Sequence, residues 1–266
     1  ANPLGIPTPA KNDLDRLFET FAPVWEIDVA TDDDHLGTPF WPRHASYPAV
    51  DPHTPATFKL LSHTRLNGKT LLQLNYVVWF PARAKSGFFD LLGGSVDGLT
   101  WRVTLLPDGQ VAFYDTIHNC GCYHMVFPTG NVSILKRQSG REEPMLFVSG
   151  QFPASGIPVI RVQSTTHYIS HVYFPKIDDM QTITYSLRPY RELRSLPLSS
   201  LDRRSFFAAD GLVSGTERGE RWLFWPMGIP DPGAMRQWGT QAIAFVGRRH
   251  FDAPYLFDPY LGLVKK

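Results

Sequence analysis

Within Asp115-Thr-Ile-His118-Asn-Cys120-Gly-Cys122-Tyr-His124 lie both cysteines of the 266-residue chain and two of its nine histidines. Side chains of a β-strand repeat their direction every second residue, so an extended segment would aim His118, Cys120, Cys122 and His124 to one side. Imidazole nitrogen and thiolate sulfur are donors that zinc and copper accept. A thiol beside an imidazole is also a nucleophile beside its base.

Same-face residues of a straight strand sit about 6.6 Å apart, which puts His118 about 20 Å from His124. One ion therefore needs either a turn or bulge at Gly121 or ligands from elsewhere. Thr165-Thr-His167-Tyr-Ile-Ser-His171 is the best outside source, giving a ligand pool of His118, Cys120, Cys122, His124 and His167 for zinc or copper. In that scheme the metal lowers the pKa of a bound water and Asp97 acts as base or second acceptor. Asp97, Cys122 and His167 are the catalytic candidates of the segment and its surroundings. Two alternatives stay open: a non-catalytic copper- or zinc-binding envelope protein, and a thiol-dependent hydrolase with Asp115, Asp97 or Asn119 orienting the base. A Cys120–Cys122 disulfide would also need a turn at Gly121, since α-carbons two apart in a strand lie near the upper limit for a bridge.

The elements that must position these residues read mainly as strands. Phe58–Arg65 and Thr70–Phe80 flank Leu66-Asn67-Gly68-Lys69, and Asn-Gly is the favoured two-residue hairpin turn. Leu99–Leu106 and Gln110–His118 flank Pro107-Asp108-Gly109 in the same way, and the second strand runs into the Cys/His row. Further strands are expected at Met145–Ser149, Val159–Phe174 (broken midway), Thr182–Leu187, Arg221–Phe224 and Ala242–Val246. Leu14–Phe21 has apolar residues at helical spacing, with Asn12 or Asp13 as cap and Pro23 as stop. The Asp- and Pro-rich stretch Thr31–Pro55 reads as a long ordered loop, Trp225–Gly233 as another, and Ala234–Trp238 as a short helix. Alternation puts Arg102 on the Thr100/Thr104 face, where a surface ion pair is expected. The expectation is an all-β, mainly antiparallel, single β-sandwich-like domain over residues 1–266. Residues 1–57 form a helix-and-loop extension and 58–266 the sandwich core.

A formal charge of +1 without a lysine or arginine run argues against nucleic acid as a partner. No window of about 18 apolar residues exists, so no transmembrane segment is expected. The Ala-Asn-Pro start leads us to expect a protein exported through a bacterial envelope, periplasmic or secreted, with its signal peptide removed. Two cysteines make no disulfide framework. Trp222, Phe224, Trp225 and Trp238 offer a groove for a small-molecule, glycan or lipid ligand, against the plainer reading of core aromatics. Asp32-Asp33-Asp34 lacks the spacing of a calcium loop and reads as a solvated turn. Gly93-Gly94-Ser95 lacks the lysine of a phosphate loop, and no Gly-x-Ser-x-Gly elbow is present.

Phe21-Ala-Pro-Val-Trp, Gly37-Thr-Pro, Leu74-Asn-Tyr-Val-Val-Trp-Phe, Asp97-Gly-Leu-Thr-Trp-Arg-Val, Tyr114-Asp-Thr-Ile-His118 and Ile157-Pro-Val-Ile-Arg-Val-Gln-Ser-Thr-Thr-His167 follow one another in an order that resembles a β-sandwich superfamily. That superfamily contains the necrosis-inducing secreted proteins and the vacuolar-sorting-associated proteins. The resemblance implies a β sandwich and a site where Asp97, His118 and His167 approach one another. Where the family has Asp-Trp-Glu metal ligands, this chain has Asp97, Trp101 and Arg102. The Cys-Gly-Cys-Tyr-His segment lies outside the family pattern.

Overall fold

The computed structural model describes residues 1–87, 89–135, 145–176, 181–243 and 249–264. Its centre is a seven-stranded sheet in the spatial order β10 (Leu146–Phe147), β8 (Met125–Pro128), β7 (Val111–His118), β6 (Gly94–Leu105), β5 (Lys69–Arg83), β4 (Ala56–Leu66) and β13 (Ser186–Pro189). The inner five strands pair antiparallel, while β10 and β13 join the edges parallel. The two hairpins form where turn chemistry places them. Asn67 and Gly68 take φ of 49° and 76°, the left-handed pair that a tight hairpin turn requires.

Alternation sorts the strands onto two faces. One face carries Leu74, Tyr76, Val78 and Phe80 of β5 with Leu99, Trp101 and Val103 of β6. Trp101 stacks on Tyr114 at 5.4 Å between centroids. Fully burying each such side chain contributes about 1.5–3 kcal/mol, so this face outweighs any single polar contact. A three-stranded sheet of β1 (Val24–Ile27), β11 (Val159–Val162) and β12 (Ile169–Tyr173) covers it together with α1 (Lys11–Thr20), giving the sandwich layering. The opposite face carries Val77, Trp79, Phe113 and Ile117 and is covered by the C-terminal third of the chain, with Phe206, Phe207, Phe251 and Phe257 among the packing residues. Three short ladders complete the fold: β2 (Thr38–Phe40) with β3 (Ala49–Asp51), β14 (Leu196–Pro197) with β15 (Arg203–Arg204), and β9 (Val132–Ile134) with β16 (Leu261–Leu263).

Several local expectations are corrected. Helix α1 starts earlier, with Ala10 rather than Asn12 or Asp13 at its N-cap and no side-chain cap; the edge-on packing of Phe18 against Tyr76 anchors it instead. Thr31–Pro55 is not a plain loop, because β2 and β3 pair within it and Thr31 with Asp34 forms a capping box on a 3₁₀ turn. Arg221–Phe224 is a helical turn, α2, rather than a strand, since its amides fold back on Arg218, Gly219 and Glu220. Trp225–Met227 adds a 3₁₀ turn to the Pro/Gly-rich segment. Ala234–Trp238 is not helical. Of the strand expected at Ala242–Val246, residues 244–246 lie outside the described residues, and Ala242 makes an isolated bridge to His250. Val159–Phe174 is broken midway, by a turn in which Thr165 and His167 take positive φ. No described helix is long and apolar enough to cross a membrane.

Candidate functional site

The Cys/His row does not form one extended face. Strand β7 ends at His118, the amide of Gly121 returns to the His118 carbonyl, and the His118 amide donates to the Cys122 carbonyl. Gly121 makes this possible twice over: its φ is +97°, and a Cβ there would collide with the carbonyl of Ala242. Tyr123 follows with φ of +57°, and by Met125 the chain runs back along β7. His118 and Cys122 thus lie side by side across a tight loop. His124 is carried to the opposite face of the sheet.

Strand alternation explains the division. His118 shares its face with Tyr114 and Thr116, whereas Asp115 shares the other with Phe113 and Ile117. Directly opposite Asp115 on β6 stands Arg102. Arg102 is therefore no surface residue. It is 1% exposed, donates to both Asp115 carboxylate oxygens at 2.9 and 2.6 Å and to the Phe251 carbonyl, and packs 3.6 Å from the Phe251 ring centroid. His124 Nε2 meets the same carboxylate at 2.9 Å. Burial alone would raise the Asp115 pKa, but Arg102 and His124 outweigh it and hold the carboxyl below its ordinary value. Burial pushes His124 down, against the pull of Asp115.

On the first face, Asp97 of β6 and His167 from the β11–β12 turn meet at 2.7 Å, Asp97 Oδ2 to Nδ1. The other nitrogen of His167 lies 3.4 Å from Asp34 Oδ1, and the ring is stacked flat on Phe80 with centroids 4.0 Å apart. Asp34 is buried, so the solvated-turn reading of the aspartate run is corrected at that residue: it also accepts the amides of Ala30, Thr31 and Thr165. Burial raises the Asp97 pKa, yet the hydrogen bond and charge of His167, joined by His118 and Arg218, bring it down to about 2. Asp97 is thus a buried strand residue, 2% exposed.

His118 is the histidine that reaches open space. Burial lowers its pKa to about 4, opposed by the charge of Asp97. The rings of Tyr123 and Tyr168 stand edge-on to His118, each at 5.4 Å, and their hydroxyls touch.

A pocket of about 270 Å³ opens at this end of the sheet. His118, Cys120, Cys122, Asp97, Arg83, Arg218 and Glu220 line its polar part; Leu92, Phe224, Met227, Ile229, Pro232 and Met235 line its apolar wall. Arg218 is held by the carbonyls of Ser95 and Val96, and a Cβ at Gly94 would occupy its guanidinium. Burial raises the Glu220 pKa against the charges of Arg83 and Arg218. Of the expected aromatic groove, Phe224 contributes to the wall, Trp222 and Trp225 are exposed, and Trp238 packs against the core.

The ligand pool does not assemble as one shell. His167 is hydrogen-bonded to Asp97, its Nε2 unpaired beside Asp34, and His124 is hydrogen-bonded to Asp115, while His118, Cys120 and Cys122 line the pocket. Among the described residues no three His, Cys, Asp or Glu side chains converge as a metal site. Arg83, Arg218, Glu220, Tyr123 and Tyr168 were missed by sequence reasoning, because no local spacing links residues that only the tertiary fold gathers. The chain matches no protein-family model, no curated protein and no solved structure.

Proposed function

We propose that the protein is a thiol-dependent hydrolase of a small acyl compound, with Cys122 as nucleophile and His118 as its base. One observation carries this reading: His118 and the thiols line a single pocket beside a largely apolar wall, whereas the other histidines of the ligand pool are tied to buried carboxylates. Cys122 is preferred over Cys120 because its backbone is held beside that of His118, while Cys120 packs partly into an apolar cluster.

In the reaction, the Cys122 proton passes to a His118 ring nitrogen as sulfur attacks the acyl carbon. The carbon–sulfur bond forms, the bond to the leaving oxygen breaks, and His118 returns the proton to that oxygen. Water then attacks the thioester with His118 as base, the acid leaves, and the thiol regains its proton. Asp97 and His167 are positioning residues: His167 holds the Asp97 carboxylate, whose charge favours the protonated His118 ring. Intact-mass analysis after mixing with p-nitrophenyl acetate tests the proposal. Acetylation of the parent that is lost in Cys122→Ser and retained in Cys120→Ser is the expected result. No adduct on either cysteine, or an equivalent of zinc or copper co-purifying with loss of thiol reactivity, would overturn it.

A further inference from the structure

The polar end of the pocket contains more positive charge than the proposed hydrolysis uses. Arg83, at the end of β5, and Arg218, at 3% exposure, both line it. Opposite them stand Asp97 and Glu220. Asp97 is hydrogen-bonded to His167 at 2.7 Å and also acts electrostatically on both guanidinium groups, as Glu220 does. The Nη atoms of Arg218 are committed to the Ser95 and Val96 carbonyls. Arg83 lies over the Tyr168 ring, 5.3 Å from its centroid, and its Nε is buried without a hydrogen-bond partner. A buried guanidinium nitrogen left unpaired is costly, and an anion is what satisfies it best.

From these groups we infer that the pocket binds a carboxylic acid with a compact apolar body. The carboxylate lies toward Arg83, and the chain or ring lies against Leu92, Phe224, Met227, Ile229 and Pro232. A cavity of about 270 Å³ limits the body to a short aliphatic chain or a single ring. The inference rests on the pocket being the substrate site and names the acid half that hydrolysis releases, so the released acid is also an inhibitor. Glu220 competes with it for Arg83. A carboxylate is favoured over a neutral isostere because the ion-paired hydrogen bond to guanidinium is about twice as strong as a neutral one.

Calorimetric titration of the full chain with octanoate and with octanamide separates this inference from the hydrolase reading, because neither ligand needs the thiol to react. Octanoate is expected to bind about tenfold more tightly than octanamide, a difference of about 1.4 kcal/mol. Arg83→Gln brings the two affinities together, Arg83→Lys keeps most of the preference, and Glu220→Gln tightens octanoate alone. If Arg83→Gln does not fold, the Arg83→Lys and Glu220→Gln titrations carry the test. Equal binding of the two ligands by the parent, or a preference untouched by every one of these changes, overturns the inference even if acetylation of Cys122 is observed.

Discussion

Two buried histidine–carboxylate pairs sit on opposite faces of the same two strands, and they do different things. Asp97 and His167 stand on the face covered by the small sheet; Asp115 and His124 stand on the face covered by the C-terminal segment. Both carboxylates are held below their ordinary pKa by a charged or hydrogen-bonding partner that overcomes burial. The surroundings differ. His124 is closed in by Phe251 and Phe257, and its carboxylate is also claimed by Arg102. Asp97, the partner of His167, lines the pocket together with His118. Burial with ionic partners therefore marks the scaffold as readily as the site, and access to a cavity separates them.

The largest effect should come from breaking the sealed pair. Asp115→Ala leaves the Arg102 guanidinium buried without its carboxylate and is expected to cost about 3–5 kcal/mol in urea unfolding. Removing both charges together, as Arg102→Met with Asp115→Leu, should cost less than the single change, because no charge is stranded. A cost of Asp115→Ala within 1 kcal/mol would show that the sealed pair is not a stabilising element and would erase the comparison.

The next effect in size concerns pH. His118 is held at about 4 against an ordinary value of 6.5, so between those values the unfolded chain binds a proton that the folded chain refuses. Stability therefore falls as pH drops from 6.5 to 4, by about 3 kcal/mol for a shift of this size. Asp97 adds a second loss. With its folded value at about 2 against 3.8, its contribution is complete above 3.8 and disappears as pH falls toward 2. Unfolding free energies measured from pH 7 to 4 should show the first slope in the parent and a shallower one in His118→Gln. His124 is shifted in the same direction and keeps part of the slope in that variant.

The sequence exposed the hairpins because Asn67-Gly68 and Pro107-Asp108-Gly109 carry their turn geometry in the residue types themselves. It also pointed to His118, Cys120 and Cys122, since two-residue spacing of reactive side chains is visible without a fold, and to Gly121 as the place where such a segment would turn. The order of motifs led to Asp97, His118 and His167 as neighbours, and the structure puts Asp97 and His167 in hydrogen-bond contact. Arg102 was misplaced for a physical reason: alternation assigns a face, but only the C-terminal segment, which reaches Arg102 through Phe251, 149 residues later, decides that this face is covered. Asp34 was misread because a run of three aspartates looks solvated until the β11–β12 turn closes over one of them. Arg83 ends β5, whereas Arg218 and Glu220 lie two residues apart in a loop some 135 residues later, so their meeting at the pocket was not legible.

The alkylation rate of Cys122 by iodoacetamide across pH 5–9, compared in His118→Gln and His124→Gln, tests the distinction between site and scaffold most directly. Both changes remove a buried imidazole close to Cys122 in sequence, His118 four positions before it and His124 two after it, so chain proximity alone would make His124→Gln the more damaging change. The account predicts that His118→Gln slows alkylation below pH 8 by about tenfold or more, while His124→Gln lowers stability and leaves the alkylation profile of the folded protein unchanged. Equal rates in the parent and His118→Gln at every pH, or a slowing confined to His124→Gln, would contradict it.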